Sequence, residues 1–161
     1  MTTKTKLCIL ALTLLASHTA FAAGGKGMTW FKTGHANGVD SVSCTNTDGT
    51  KCDAYQGDTA CSIKLPVLCI NQDGAPGPVP SNSYNGWAKG NIGLSRAVRG
   101  DTMTSLADGN AICRGEFGPG YRMAEFHDGS GGWGWQAYGN IDGSSRFWVT
   151  TSDQSSNCWN K

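Results

Sequence analysis

Six cysteines, Cys44, Cys52, Cys61, Cys69, Cys113 and Cys158, constrain this chain more than any other feature. They follow an N-terminal stretch with the three parts of a secretory leader. Lys4 and Lys6 supply the basic start, "LCILALTLLA" (7–16) the apolar run, and "AFA" (20–22) small residues at both key positions of a signal-peptidase site. The leader is expected to span residues 1–22 and to take Cys8 with it. An even number of cysteines in an exported chain reads as disulfides. The competing use is a metal site, but spacings of eight, nine and eight residues contain no C-x-x-C pair of the kind zinc modules need. The simplest partition joins Cys113 to Cys158 and makes two bridges among the first four cysteines, which leaves three connectivities open.

Loss of the leader also sets size and charge. Removing 22 residues from 161 leaves 139, one ordinary domain with enough chain to bury a core. Lys4 and Lys6 depart, so 13 basic residues become 11 against 12 acids and the formal charge turns from +1 to −1. A near-neutral surface gives no electrostatic reason to bind nucleic acid. The apolar run is too short for a permanent bilayer anchor and no second one follows, so no integral membrane segment is expected after leader removal. The expected location is secreted or periplasmic.

Twenty-three glycines and 16% charged residues leave little room for long solvated helices, and six tryptophans carry much of the apolar bulk. The fold class expected is α+β, a small, disulfide-stabilised, loop-rich domain with one main helix and short antiparallel strands. Residues 23–43 read as a flexible Gly-rich arm. Residues 44–161 read as a single disulfide-rich domain, with a Cys-rich part at 44–84 and a second part at 85–161. In the first part "KLPVLCI" (64–70) is the best strand, its proline marking an edge or boundary, and "GAPGPVPSNS" (74–83) is a surface connection. In the second, "NGWAKGNIGLS" (85–95) reads as a glycine-broken hairpin. "DTMTSLADGNAICRGEFGPG" (101–120) reads as the helix, with Leu106, Cys113 and Phe117 near one face, Asp101 or Thr102 as cap and "GPG" as stop. "YRMAEF" (121–126) and "RFWVTT" (146–151) follow as strands.

This succession of a helix containing "SLADGNAIC", a glycine turn, the strand "YRMAEF" and a late aromatic strand "RFWVTTSDQSSNCW" resembles the order of elements in C-type lectin-like domains over residues 85–161. In that fold a helix cysteine commonly bridges to one near the C-terminal end, which the resemblance transfers to Cys113 and Cys158. The mature chain also resembles a group of small secreted bacterial proteins with "GWRMAEFHDG"-like and "FWV...DQ...NCW"-like segments, a likeness that implies no particular activity. Sugar-binding C-type lectins hold calcium with a Glu-Pro-Asn or Gln-Pro-Asp triplet and a Trp-Asn-Asp triplet, and this chain contains none of them. "DQSSN" (153–157) offers oxygens without the proline, short of the six to eight that calcium takes. Calcium therefore stays unsupported; no cofactor and no metal ligands are expected.

Two stretches carry candidate chemistry. "GYRMAEFHDG" (120–129) packs Arg122, Glu125, His127 and Asp128 between glycines. A histidine beside carboxylates is the raw material of a general base, so His127 with Glu125 or Asp128 is the catalytic set if the protein is an enzyme. No serine or cysteine nucleophile motif accompanies it, and the other mature histidine, His35, lies in the arm. A purely structural use has Arg122 pairing with Glu125 or Asp128, and His127 capping the strand end through backbone. The second stretch is "DGSGGWGWQAYGNIDGSS" (128–145). Trp133, Trp135 and Tyr138 sit there among glycines that cannot cover them. Flat aromatic faces stack on sugars, and Asn140, Asp142 or Asp128 could bond hydroxyls; the alternative is that the rings fill a core beneath a loop.

Three functions remain. The first is a secreted, non-catalytic binding module that recognises a glycan or protein ligand through the Gly/Trp-rich loop. The second is a small secreted hydrolase using His127. The third is a structural cell-surface assembly protein whose aromatic loop packs against a partner chain. The residue pattern favours the first.

Overall fold

The computed structural model describes residues 25–78 and 85–160. The expected leader, 1–22, and the end of the Pro-rich connection lie outside the described residues. Among the described residues eleven strands form: β1 (Lys26–Gly27), β2 (Thr29–Ala36), β3 (Val39–Ser43), β4 (Thr59–Ala60), β5 (Lys64–Leu65), β6 (Leu68–Asn71), β7 (Asn85–Leu94), β8 (Val98–Arg99), β9 (Arg122–Met123), β10 (Gly134–Tyr138) and β11 (Phe147–Trp148). One helix, α1 (Leu106–Phe117), stands between β8 and β9. The α+β, disulfide-stabilised character expected from the sequence is what forms.

The segment read as a flexible arm is instead structural. Met28 and Trp30 are buried, and β2 and β3 make a hairpin in which Ala36 pairs with Val39 across Asn37–Gly38. Both loop residues have positive φ, 53° and 77°. A two-residue Asn-Gly loop of that hand matches the right-handed twist of flanking strands, which is why it closes hairpins so well.

Seven strands form one sheet in the order β11-β2-β3-β10-β7-β6-β9. All neighbours are antiparallel except β10 with β7. The sheet's two ends meet again: Val67 bridges Trp148 and Glu125 bridges Thr150, with Thr150 N donating to Ala124 O at 3.0 Å. The curled sheet encloses Trp30, Trp135, Phe147, Leu68, Ile70 and Val42, and small residues (Ala88, Ala124, Ala137) make room for the indoles. The expected hairpin at 85–95 is one long strand, β7; its glycines serve close approach. A Cβ on Gly86 would fall 1.5 Å from Gly129 O, so this contact seats the 127–132 loop directly on β7.

A second cluster lies outside the sheet, where Val67, Cys69, Met123 and Trp148 meet Met103 and Cys113. Helix α1 runs 106–117 and ends at Gly118, with φ 93°, as the "GPG" stop implies. Its N-cap is Ser105 rather than Asp101 or Thr102; those two fall in a single 3-10 turn, and Asp108 steadies the helix start by accepting from Thr104 N at 2.7 Å and Thr104 Oγ1 at 2.8 Å. Cys113 is fully buried, whereas Leu106 and Phe117 are exposed, so the expected apolar face narrows to the cysteine side of the helix.

All six cysteines among the described residues are bridged, as Cys44–Cys52, Cys61–Cys158 and Cys69–Cys113. The Cys113–Cys158 pair expected from simple partition and from the resemblance is therefore incorrect, and of the two bridges expected among the first four cysteines only Cys44–Cys52 lies within that group. The reason is strand parity: Leu68 and Ile70 of β6 point into the curled sheet, so Cys69 points outward against α1, 5.4 Å from Cys113 between Cα atoms. Cys158 is left to meet Cys61 across 97 residues of sequence.

In the chain-entropy account, stabilisation grows with loop length, reaching about 4 to 5 kcal/mol for a loop near a hundred residues and about 2 kcal/mol for one of eight. The paired replacement Cys61→Ser with Cys158→Ser should therefore lower the urea unfolding free energy about twice as much as Cys44→Ser with Cys52→Ser. Equal losses would refute that ordering.

Candidate functional site

The stretch after β9 makes a tight corner held by one buried carboxylate. Arg122 grips Asp128 with two guanidinium nitrogens, Nη2 to Oδ1 at 2.5 Å and Nη1 to Oδ2 at 3.1 Å. The same carboxylate accepts Glu125 N at 2.7 Å, and Arg122 Nη2 also donates to Gln72 Oε1. Asp128 is 6% exposed at its side chain against 34% for Arg122. Burial pushes the Asp128 carboxyl above its ordinary range, and Arg122 pulls it back only in part. Of the structural uses weighed from sequence, the Arg122–Asp128 pair is the one that forms.

With Asp128 turned inward, His127 is exposed and Phe126 lies half-buried against the core. Glu125 accepts from His127 N, from His127 Nδ1 at 3.0 Å, and from Ser152 N and Oγ at 3.0 and 3.2 Å. His127 thus caps through a side-chain carboxylate, not through backbone. Its other ring nitrogen, Nε2, lies 3.7 Å from Asp153 Oδ2. The imidazole therefore faces carboxylates on both sides, and Ser152 Oγ shares Glu125 with it rather than facing it. Of the two pairings weighed from sequence, the geometry brings His127 together with Glu125 and sends Asp128 to Arg122.

Beside His127 a notch of about 180 Å³ opens between Tyr55, Phe126, Trp133 and Asp153, with exposed Gln154 and buried Thr151 also lining it. Phe126 packs edge-on to Trp133 at 5.2 Å and to Trp30 of the core at 5.4 Å. Trp133 is 40% exposed and Tyr55 57%, their ring centroids 6.4 Å apart. Each wall is anchored. Trp133 O accepts Cys44 N and Ser43 Oγ, both at 2.9 Å. Tyr55 sits in a loop behind the Cys44–Cys52 bridge, with Asp53 Oδ1 accepting its backbone N at 2.9 Å. Asp153 accepts Thr151 Oγ1 at 2.7 Å, and Asn157 bonds back to Thr150 and Thr151.

The ring cluster expected from sequence is therefore divided. Trp135 is 1% exposed and packs against Trp30 at 5.8 Å, which overturns its reading as a surface ring. Trp133 has the same strand parity but precedes the first residue of β10, where the sheet no longer covers it. Tyr138 closes the far end of β10, edge-on to Trp87 at 4.9 Å with its hydroxyl donating to Pro76 O. Asn140 and Asp142 follow at that far end, exposed, the carboxylate of Asp142 occupied by Ser144 N and Oγ. The loop 128–142 thus does not form a single site: of its candidates, only Trp133 lines the notch. Tyr55 joins it from a segment that sequence reasoning passed over, and Phe126, Thr151, Asp153 and Gln154 from stretches read there for other roles. Among the described residues no group of three or more His, Cys, Asp or Glu is arranged to hold a metal ion, and no helix is long and apolar enough to cross a membrane.

Comparison with protein-family models, curated proteins and solved structures finds no match to this chain.

Replacing Arg122 by Met strands the Asp128 carboxylate and should cost about 2 to 3 kcal/mol at neutral pH, less than for a fully buried pair because Arg122 is partly exposed. The sign of its pH dependence follows from burial. A carboxyl raised in the folded state stabilises at low pH, and that contribution is lost as pH rises through the folded value. Without Arg122 the carboxyl rises further. The stability gap between wild type and variant should widen as pH climbs from the ordinary aspartate range, near ~4, towards 7. Urea melts across that interval measure it, and a constant gap would contradict the burial of Asp128.

Proposed function

We propose that this chain is a secreted or periplasmic, non-catalytic binding module that recognises a glycan through the notch at Trp133 and Tyr55. The observation that carries the reading is the pair of neighbouring exposed aromatic rings lining a cavity that also holds an exposed acid and an exposed amide. Apolar ring faces stack on the C–H faces of a sugar, while Asp153 and Gln154 accept and donate to hydroxyls, the usual division of labour in a small-molecule site. The notch is smaller than drug-sized pockets of roughly 300 to 1,000 Å³, which suits one or two sugar units of a longer chain.

Three further points support the reading. The three disulfides fit an oxidising compartment outside the cytoplasm, where cell-surface and matrix glycans are met. The His127 ring is held between two carboxylates, Nδ1 at Glu125 and Nε2 facing Asp153, a positioning that favours binding over hydrolysis. The order α1, β9, β11 supports a C-type lectin-like relationship for the C-terminal half, with the departure that the helix cysteine bridges to Cys69 on β6.

Glycan-array binding of the oxidised protein tests the proposal. Trp133→Ala should lower the affinity for any array ligand about tenfold or more, the loss of one stacked ring and its buried area, with a urea midpoint close to wild type because the ring is 40% exposed. Trp135→Ala should unfold the domain instead, since that ring is buried. An array without ligands would sink the glycan reading, and a purified partner chain captured through Trp133 would replace it with surface assembly.

A further inference from the structure

We propose that the notch selects glycans carrying a free, positively charged amino group, the chemistry of an unacetylated hexosamine polymer; this rests on the binding reading above and names its ligand class. The argument is charge complementarity within the cavity. Asp153 lines the notch with its side chain 56% exposed, and no lysine or arginine is among the lining residues. Glu125 lies directly behind His127, and Asp53 holds the loop that presents Tyr55. The arginines of the neighbouring segments are already committed: Arg122 to Asp128, and Arg146 to Asp58 at 2.8 Å with its guanidinium over the Phe31 ring.

A cation entering this space meets two favourable fields at once. The faces of Trp133 and Tyr55 attract it through their ring quadrupoles, and Asp153 Oδ2 offers a charge-assisted hydrogen bond whose present neighbour is the His127 ring, 3.7 Å away. A neutral, acetylated sugar gains the stacking and forgoes the charge. A carboxylated sugar is repelled by Asp153 and Glu125. The rings therefore set that a sugar binds, and Asp153 sets which one.

Titration calorimetry with two tetramers tests this, one of glucosamine with free amines and one of N-acetylglucosamine, against wild type, Asp153→Asn and Trp133→Ala. Asparagine keeps an oxygen for Thr151 at an exposed position, so the first variant retains the fold, checked by its urea midpoint. The expected result is that the free-amine tetramer binds wild type about tenfold more tightly. That preference should shrink with added salt and disappear in Asp153→Asn, while Trp133→Ala weakens both ligands. Equal binding of the two tetramers, still lost in Trp133→Ala, would overturn the amine selectivity and leave the binding module standing. A preference that survives Asp153→Asn would overturn the role given to that carboxylate. Failure of both tetramers while a different glycan binds through Trp133 would overturn the ligand class alone, and failure of every glycan would overturn the binding reading itself.

Discussion

Trp30 is the interaction on which the rest of the molecule depends. It lies at the centre of the curled sheet, fully buried, touching Trp135 on one side and Phe126 on the other. From Phe126 the aromatic contacts continue to Trp133 and on to Tyr55 at the surface. The chain of rings is thus continuous from core to notch, and the exposed rings are braced by buried ones. Side chains that must present a flat face to a ligand lose little freedom on binding when their neighbours already hold them, which is the physical content of preorganisation. The Nε1 atoms of Trp30 and Trp135 are buried with no hydrogen-bond partner among the described residues, so these indoles are placed for shape and area at the expense of their polar atoms.

The carboxylates divide their roles by depth. Asp128 and Asp40 face inward and each is matched by cations or backbone N–H groups: Asp128 by Arg122, and Asp40, with no exposed surface, by Lys32 at 2.8 Å, His35 at 2.7 Å and the N–H of Ile141. These pairs fix the corner after β9 and the base of the β2–β3 hairpin. Glu125 is intermediate, spending its oxygens on His127 and Ser152. Asp153 alone of this series lines the notch. A single sequence stretch, 120–129, therefore supplies a fold-holding pair and, two residues away, part of the notch wall, because the corner turns one side chain in and the next out.

Much of this was legible in the sequence, and the failures have identifiable causes. The disulfide state followed from an even cysteine count behind a leader-like segment, and the end of α1 from Gly118. The Asn37–Gly38 dipeptide was the missed signal of the N-terminal region: flanked by alternating residues it specifies a hairpin, but glycine richness made the segment read as an arm. Cysteine pairing depended on which face of β6 carries Cys69, a parity fixed only once Leu68 and Ile70 have a core to enter. Strand β10 was hidden because glycine weakens strand propensity while the parallel and antiparallel neighbours, β7 and β3, supply the hydrogen bonds that override it. The notch was the least visible part, since Tyr55, Trp133 and Asp153 are brought together from three segments by the curl of the sheet and carry no mutual spacing.

The cysteine bridges also bear on how such a chain matures. Cys69–Cys113 joins consecutive cysteines but is nested inside Cys61–Cys158, which does not. A chain threaded through a membrane from its N-terminus presents Cys61 and Cys69 to an oxidant long before their partners at 113 and 158 arrive. Oxidation in order of emergence would join those two to each other and trap the sheet open. Correct maturation therefore requires either that Cys61 and Cys69 stay reduced until the last strand is delivered or that a premature bridge is reshuffled by thiol exchange. For an exported form of this chain, yield is thereby tied to disulfide isomerase capacity as much as to the stability of the finished fold.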